Sequence, residues 1–450
     1  MIELLLPETR QSRSLGRRAW VLPLLGTALA LWASPADAQT SAAAYFPTGN
    51  YGYDQDLGVT VLSRARPEYD QPGVQLGGFT VRPQLNQSIF DNTNVNGTGG
   101  SNSGSWGSET LGSVTGASDW SRNSLQASLG FDHYSYFAMP TEDYTNWNVG
   151  IGGGYTIAGG QLRANYAHST YNQLGTEIGT AQSEAPSQNT TDTGDISYDF
   201  NLGRVTITPS VDFSAYRLGD ITVNGVKTSQ AAFNRNVVAA GIVTRYALSG
   251  GTGLLLVTRG TSTNYVNPVP GQLSNNSVSG MVLAGIEYQP EAVWRYSLLV
   301  GVETRVFSAS QYGTFTAPVL SGQVVWTPKP VLTFAGNLTR TVEDADTSGN
   351  NGYVLNDLGL VGDYELMRNV LLEGRVDLQY ASYLQGGTQT NETLGAGVTW
   401  LLNRRVRLSL DDDYTNQNSP GTTTLTTTGP DQLSGAYRQN LLMLTLHLAL

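Results

Sequence analysis

The feature of this sequence that most constrains its fold is an alternation of apolar and polar residues with a period of two. The alternation recurs in segments of about ten residues. Between residues 369 and 380, one set of alternate positions is apolar, while the other carries Glu373, Arg375 and Asp377. Successive side chains of a strand point to opposite faces. The pattern therefore predicts strands with one face towards lipid and one towards water, as in a transmembrane β-barrel.

Short polar or Gly/Pro turns alternate along the chain with longer stretches rich in Asn, Thr, Ser and Gly, as expected for periplasmic turns and outer loops. The turns are predicted near residues 119–123, 158–160, 202–204, 249–253, 289–292, 327–330, 365–369 and 403–404, and the main loops at 91–105, 171–191, 217–230, 267–278, 343–352 and 415–434. Eight turns joining strand pairs, with a first and a last strand, predict an all-β fold, an antiparallel up-and-down barrel of about 18 strands. The pattern is weakest in residues 78–135, where loss of one pair would leave 16 strands.

The first 38 residues have the pattern of an export signal. Their basic residues are Arg10, Arg13, Arg17 and Arg18. The apolar stretch from Ala19 to Ala33 is shorter than the roughly 20 residues that span a bilayer, which disfavours the alternative of an N-terminal membrane helix. Small residues at Ala36 and Ala38 predict cleavage after Ala38. We therefore predict a signal peptide at 1–38, a periplasmic segment at 39–77 and the barrel at 78–450.

The composition excludes several other classes of protein. Only 14% of the residues are charged, below the roughly 25% of soluble domains, and 40% are hydrophobic, too many for a disordered chain. No later stretch is long and apolar enough for a membrane helix. Removing four basic and three acidic residues with the signal changes the net charge from −11 to −12, which argues against nucleic acid as a partner. The absence of cysteine excludes disulfides and thiol chemistry.

Aromatic residues lie on the apolar parity just before several short turns. They are Phe200, Tyr246, Tyr288, Trp326, Tyr364 and Trp400. Amphipathic rings settle at the lipid interface, so these residues predict a periplasmic aromatic girdle. The alternative, that they are core aromatics of a soluble β-sandwich, leaves the charged faces of the strands unexplained.

A barrel of sixteen to eighteen strands leaves an aqueous channel in its centre. Charged residues of the polar parity are predicted to line it: Arg163, Asp199, Asp212, Arg245, Glu287, Glu303, Arg305, Glu373, Arg375, Asp377, Arg405, Arg407 and Asp411. Two interpretations stay open for this set. Opposite charges could pair along the wall and hold the strands in register, or they could form a polar track that orients a hydrophilic solute.

The sequence predicts no enzyme, no metal site and no cofactor. Its three histidines, His133, His168 and His447, lie in strand contexts and lack metal-ligand spacing. A Ser–His pair on the outer wall stays open, because catalytic partners need to meet only in space. The mature segment before the first strand is too short for a plug domain of the kind found in TonB-dependent transporters.

Three motifs resemble those of the putative beta-barrel porin-2 family. The opening motif consists of Arg66, Pro67, Glu68, Tyr69 and Asp70, followed by Gly73, Gly77 and Phe79. Residues 119–122 and 142–147 are similar to the family's pattern at the first periplasmic turn and in the following loop. The resemblance spans residues 64–450. It implies a porin-like protein, and some relatives belong to exopolysaccharide export systems.

Three functions follow for a barrel in the cell outer membrane. The first is a channel, with exopolysaccharide translocation as its most specific version, and the second is a general diffusion porin. A porin usually folds a long loop inward, and outer loops of no more than about twenty residues favour export slightly. The third is a non-conducting surface protein that acts through loops 91–105 and 415–434. The expected partners are outer-membrane lipid and lipopolysaccharide, the barrel assembly machinery and, for export, a periplasmic polysaccharide-export protein.

Overall fold

The structure, a computed structural model, describes residues 59–97, 103–223, 225–289, 293–347, 350–419 and 435–449. The predicted signal peptide and the predicted periplasmic segment up to residue 58 lie outside the described residues. Among the described residues, none of the helices is long and apolar enough to cross a membrane.

The described part of the chain consists mostly of antiparallel strands. These are β1 Val74–Leu76, β2 Phe79–Asn92, β3 Ser105–Ser118, β4 Ser124–Tyr136, β5 Tyr144–Ile157, β6 Gly160–Gln173, β7 Ser187–Leu202, β8 Val205–Arg217, β9 Ile221–Val223, β10 Val226–Thr228, β11 Arg235–Ser249, β12 Thr252–Tyr265, β13 Ser277–Tyr288, β14 Trp294–Phe307, β15 Thr314–Lys329, β16 Leu332–Glu343, β17 Tyr353–Met367, β18 Val370–Tyr383, β19 Thr388–Leu401, β20 Val406–Asn418 and β21 Tyr437–Ala449. Single-turn 3-10 helices lie in the loops at Pro140–Glu142, Ala231–Phe233 and Ser310–Tyr312.

Eighteen of the strands, β2 to β8 and β11 to β21, close into one antiparallel barrel. The closing contact is between the first and last of them, β2 and β21. The remaining short strands are accessory: β1 pairs with the start of β2, and β9 and β10 form a hairpin in the loop after β8. The prediction of an antiparallel barrel of about 18 strands is confirmed. The weakly patterned region supplies β2, β3 and β4, so the alternative of 16 strands is excluded.

All eight predicted turns connect consecutive barrel strands at the same end of the barrel, which we call the short-turn end. The other end, which we call the long-loop end, carries the longer connections. Closure of the ring pairs the backbone groups of each strand with both neighbours over most of its length. This pairing matters because lipid offers no partner for an unpaired N–H or C=O group.

The alternation seen in the sequence separates the two faces of the wall. On β21, Leu442, Leu444, Leu446 and Leu448 are 38–46% exposed on the outer face, whereas the inward Thr445 is 2% exposed. Large apolar side chains cover the outer face in the same way on most other strands. This outer surface would be favourably buried in lipid, because burial of apolar area stabilises by about 25 cal/mol per Å².

The aromatic girdle lies on the outer face at the short-turn end. Trp294 and Trp326 stack with ring centroids 5.1 Å apart, and Tyr288 and Tyr296 stack at the same distance. Trp400 is 47% exposed. Rings that stack along neighbouring strands form a continuous belt, as expected at a lipid interface.

One part of the wall is irregular. The ladder between β15 and β16 stops at Leu320 and Arg340 towards the long-loop end, although both strands continue. Beyond this point Val342 and Val354, which by alternation belong to the outer face, are 6% and 5% exposed and join an inner apolar cluster with Val319. The end of the β16–β17 hairpin therefore leans into the barrel and packs its outer face against the inner wall.

Candidate solute path

The inner face carries all but one of the charged residues predicted to line a pore. On their strands they alternate with the exposed apolar residues. These inward residues are Arg163, Asp199, Asp212, Arg245, Glu287, Glu303, Arg305, Glu373, Arg375, Asp377, Arg407 and Asp411. Arg405 differs: it is exposed in the turn before β20, because that strand begins only at Val406. That the inward residues line a conducting pore stays a prediction.

Arg375 of β18 reaches across a whole strand to an acid on β20. Its Nε and Nη2 donate to Oδ1 and Oδ2 of Asp413 at 2.9 and 2.5 Å. Gly395 of β19 lies between the two residues in the register, and a Cβ there would clash with both side chains. The glycine is therefore what allows the guanidinium to lie flat against the wall.

The same arrangement recurs elsewhere on the inner face. Arg245 of β11 passes over Gly253 of β12 and pairs with Glu287 of β13. Arg259 of β12 crosses β11 and pairs with Asp212 of β8 at 2.8 Å. Each of these ion pairs ties together strands that are not neighbours, which fixes the register of three strands at once.

The remaining predicted residues divide into paired and unpaired groups. Arg163 pairs with Asp199, Arg305 with Glu303, and Arg375 with Glu373 in addition to Asp413. Of the other inward carboxylates of the predicted set, Asp377 and Asp411 form no ion pair with any described residue. The interpretation in which opposite charges pair along the wall therefore accounts for most of the predicted lining residues, but not for Asp377 and Asp411.

The loop between β6 and β7, residues 174–186, folds into the barrel; we call it the first inward loop. Its Ile178 is 3% exposed. The backbone N of Gly179 donates to Oη of Tyr383 at 3.0 Å, on β18, which lies halfway round the ring from β7. Gly179 has φ +84°, and a Cβ there would lie 2.6 Å from Oη of Tyr353, so only glycine fits. The loop therefore spans the lumen from wall to wall.

The described residues of the loop between β16 and β17, 344–347 and 350–352, also fold inward; we call them the second inward loop. Nη1 of Arg235, on β11, donates to Asp346 at 2.6 Å. The backbone N of Asp346 donates to the carbonyl of Gly179 at 3.1 Å. The two inward loops thus meet inside the barrel and brace each other.

Together the inward loops narrow the lumen without filling it. A cavity remains between the second inward loop and the inner wall, lined by residues that include Asp212, Arg259 and Glu303. Two of the outer loops, whose modest length favoured export slightly, thus fold inward. The connection between β6 and β7 is short, but its apolar and glycine residues pack against the far wall. The preference for export over diffusion that rested on loop length therefore no longer holds.

Glu177 of the first inward loop is a carboxyl group buried inside the barrel. Burial raises its pKa well above the ordinary value of 4.5, and its Oε2 has no hydrogen-bond partner among the described residues. A carboxyl whose pKa is raised in the folded state stabilises that state below the unfolded pKa and loses the contribution as the pH rises through the folded pKa. We therefore expect the inward position of the loop to weaken, and the channel to open more often, as the pH rises.

Current fluctuations recorded in planar bilayers between pH 4 and pH 9 check this expectation. Glu177→Gln should remove most of the pH dependence, because the amide stays neutral. Glu184→Gln, in the same loop but at an exposed position, is the matched control and should leave it unchanged. Equal pH dependence in all three proteins would contradict the assignment.

At the short-turn end, residues 59–73 lie against the inner wall; we call them the N-terminal segment. Val61 is 2% exposed and packs in one apolar cluster with Leu371 of β18 and Leu401 of β19. The backbone N of Leu62 contacts Oδ2 of Asp363 on β17 at 3.4 Å. The segment therefore enters the barrel and covers part of its opening.

Charged contacts hold the N-terminal segment in this position. Glu365 of β17 pairs with both Arg64 and Arg66, the second at 3.1 Å. The Glu365 and Arg66 side chains are only 13% and 11% exposed. Arg407 of β20 donates to the carbonyl of Tyr69 at 3.3 Å. With the apolar contacts to β18 and β19, inward residues of four neighbouring strands, β17 to β20, therefore contact the segment.

The opening motif forms a compact turn inside this segment. The backbone N of Arg66 donates to Oδ2 of Asp70 at 2.5 Å, and the N–H groups of Tyr69 and Asp70 donate to the carbonyl of Arg66 at 2.7 Å. Pro67 follows Arg66, and Glu68 is exposed, 3.7 Å from Arg368. The motif thus shapes the turn that presents Arg66 to Glu365.

The motif at the first turn lies beside the start of β2. Phe79 and Trp120 are in edge contact at 5.4 Å. Oγ1 of Thr80 donates to Asp119 at 2.9 Å. Gly73 has φ +72°, which lets the N-terminal segment turn back into β1. Two motifs that are distant in sequence therefore build one joint at the mouth of the barrel.

The three histidines lie on different strands, β4, β6 and β21. His447 lies on the inner face with Nε2 3.0 Å from Oγ of Ser409. His133 and His168 lie on the outer face, where His168 contacts Asp192 at 2.7 Å and Thr170 at 3.4 Å. Within the described ranges, no group of His, Asp or Glu residues has the geometry of a metal site.

Sequence reasoning missed several charged residues that shape the path, including Asp413 of β20 and the four described next. Arg235 is the first residue of β11. Asp344 and Asp346 belong to the connection between β16 and β17, which the sequence predicts as an outer loop. Asp344 accepts from Arg305 at 2.7 Å. Arg259 interrupts an otherwise neutral strand. The only available signal was a cluster of acids in a loop of uncharged residues.

The sequence profile of the family Putative beta-barrel porin 2 matches residues 66–428. No curated protein matches the chain. Among solved structures, OccK2 (OpdF) of Pseudomonas aeruginosa has a TM-score of 0.45 at 11% identity and covers 82% of this chain and 98% of its own. The P. aeruginosa OpdK structure with vanillate has a TM-score of 0.44 at 11% identity over 82% and 99%. A BenF-like porin from Pseudomonas fluorescens Pf-5 has a TM-score of 0.45 at 10% identity over 83% and 100%.

Proposed function

Since the chain belongs to the Putative beta-barrel porin 2 family and is a porin-like outer-membrane β-barrel, we propose that it is a channel for small hydrophilic solutes. The observation that carries the proposal is a closed barrel with a charged inner wall that two loops cross without filling it. A polar lumen of this kind favours hydrated solutes over apolar ones.

Diffusion of small solutes is better supported than translocation of a polysaccharide. A polymer in transit needs an opening that is continuous along its length, whereas the first inward loop contacts the opposite wall at Tyr383. The N-terminal segment narrows the other end. Export would require both elements to move together, and the contacts between them and the wall oppose such a movement.

The orientation and processing of the protein form part of the same proposal. The short-turn end faces the periplasm and the long-loop end faces the cell exterior, as in other barrels with short turns on one side. Export begins with a signal peptide cleaved after Ala38. The barrel assembly machinery then inserts the mature chain into a bilayer of lipid and lipopolysaccharide.

Single-channel recording of the refolded mature protein in a planar bilayer tests the proposal. We expect discrete current steps at constant voltage, because a narrowed lumen of fixed geometry conducts in unitary amounts. Liposome swelling with neutral sugars of increasing size should give a sharp size limit, set by the inward loops. A protein that is folded in the bilayer but gives no steps, even after both inward loops are shortened, would be a non-conducting surface protein instead.

A further inference from the structure

Four carboxylates cluster on one side of the lumen, on β18 and β20. Glu373 and Asp411 are aligned in the register with Gly397 between them. Asp413 lies one inward position along β20 from Asp411, and Asp377 lies two inward positions along β18 from Glu373. We call this set the carboxylate groove. The inward cations of the two strands are Arg375, which lies between Glu373 and Asp377, and Arg407, which lies two inward positions from Asp411 on the side of the short-turn end.

The glycine stripe of β19 shapes the groove. A Cβ at Gly397 would clash with Oδ1 of Asp411, so the Asp411 side chain lies over β19 in the direction of Glu373. Strands are about 4.8 Å apart, so the Asp411 carboxylate fills the space above Gly397 and approaches Glu373 from β20. The missing side chains of β19 therefore let the acids of β18 and β20 lie close together.

All three guanidinium nitrogens of Arg375 are hydrogen-bonded, and its single positive charge does not neutralise the four carboxylates of the groove. Its three nitrogens donate to Asp413 twice and to Glu373 once, at 2.5–2.9 Å. Oδ2 of Asp411, in a residue that is 7% exposed, has no hydrogen-bond partner among the described residues. A buried carboxylate oxygen without a donor is costly. The free energy of the groove therefore favours the arrival of a positively charged donor.

The groove lies between the two elements that narrow the barrel. On the side of the short-turn end, Asp363 of β17 is aligned with Glu373 in the register. It accepts a hydrogen bond from the backbone N–H of Leu62, in the N-terminal segment. Towards the long-loop end, Gly179 of the first inward loop bonds to Tyr383, on the same strand as Glu373. A solute that follows this side of the lumen must pass the carboxylates between these two points.

We propose that the carboxylate groove makes the channel selective for small organic cations that carry ammonium or guanidinium groups. This inference rests on the proposed channel function and adds the class of solute. A cation in the lumen is attracted by the excess negative charge of Glu373, Asp377 and Asp411, whereas an anion is repelled by it. Among the described residues, no group of acids in the groove has the geometry of a metal site.

The test compares the wild-type protein with two variants that change the same strand. Asp377→Asn/Asp411→Asn removes negative charge from the groove and leaves the bonds of Arg375 intact. Asp412→Asn is the matched control, because Asp412 lies between Asp411 and Asp413 but points outward, where it accepts from Asn440 at 2.9 Å. Both substitutions conserve shape, and the single Asp377→Asn serves if the double variant does not fold.

Reversal potentials in a KCl gradient give the ratio of cation to anion permeability. We expect a wild-type preference for cations that falls by roughly threefold in Asp377→Asn/Asp411→Asn and stays unchanged in Asp412→Asn. Millimolar 1,4-diaminobutane should block the potassium current of the wild type and of the control, but not of the groove variant. An anion-selective wild type, or equal selectivity in both variants, would overturn the inference while leaving the channel intact. Absence of any current, both in the wild type and after both inward loops are shortened, would instead refute the proposed function.

Discussion

Replacing residues 175–185 with a short glycine and serine turn will raise the single-channel conductance several-fold. The first inward loop reaches the opposite wall, where Gly179 bonds to Tyr383, and it supports the second inward loop through Asp346. Its removal clears the width of the lumen and leaves the other loop with one contact fewer. Planar bilayer recording before and after the replacement measures the change.

A matched control shortens the loop after β12, at residues 267–275, whose Val269 and Leu273 are 40% and 44% exposed. That change removes a similar length of chain without touching the lumen, and the conductance should stay at the wild-type value. A point variant gives an independent check. Gly179→Val cannot keep both the positive φ and the contact with Tyr353, so the loop must leave its position and the current should fluctuate. Unchanged conductance in both the 175–185 replacement and Gly179→Val would show that the lumen is blocked elsewhere.

Releasing the N-terminal segment will produce the second largest effect, an increase in the time the channel spends open. Glu365→Gln weakens the ion pairs with Arg64 and Arg66, of which the second is largely buried. Loss of one partner of a buried pair costs about 3 kcal/mol, enough to shift the docking equilibrium of a short segment by roughly a hundredfold. The open fraction of the current should rise accordingly.

Limited trypsin digestion provides a second readout of the same variant. Cleavage after Arg64 should be faster in Glu365→Gln, because a released segment is accessible; the bond after Arg66 is not a readout, since Pro67 follows it and protects it from trypsin. Arg368→Ala is the control: its ion pair with Glu68 joins the same segment to the same part of the wall, but both side chains are exposed, at 82% and 67%. Such pairs contribute little. Equal cleavage rates in both variants would mean that apolar contacts alone hold the segment.

The strands could be predicted from the sequence because their pattern is local. Each barrel strand has to present one face to lipid, so the apolar and polar residues alternate wherever it runs, and turn residues mark its end. The parity also predicted correctly that Glu373, Arg375 and Asp377 share one face. Arg405 was misplaced for a local reason as well, since a difference of one residue in the start of β20 leaves it in the turn.

The inward loops could not be predicted in this way, because their position depends on residues far away in the chain. Gly179 and Tyr383 meet only after the barrel has closed. The polar and glycine-rich composition of the first inward loop is that of an ordinary surface loop. Its burial follows from contacts with the opposite wall, for which one sequence carries no signal.

For a related reason, the sequence could not predict which charged residues of the inner face pair with each other. Alternation assigns Arg375 and Asp413 to the same face but does not indicate that one reaches the other across β19. That contact depends on the register of three strands and on the missing side chain of Gly395. The opening motif is a similar case, since only the structure places Arg66 beside Glu365.

The arginines that cross a strand have a consequence for how the sequence can drift. Each residue of one such unit, formed by Arg375, Gly395 and Asp413, depends on the other two. A side chain at the glycine would displace the guanidinium, and loss of either charge would leave the other without its partner. Single substitutions within the unit are expected to destabilise the wall, whereas a joint replacement by three neutral residues is expected to cost much less. Such strong epistasis between positions on three strands would let the outer loops diversify while the inner wall keeps its charges.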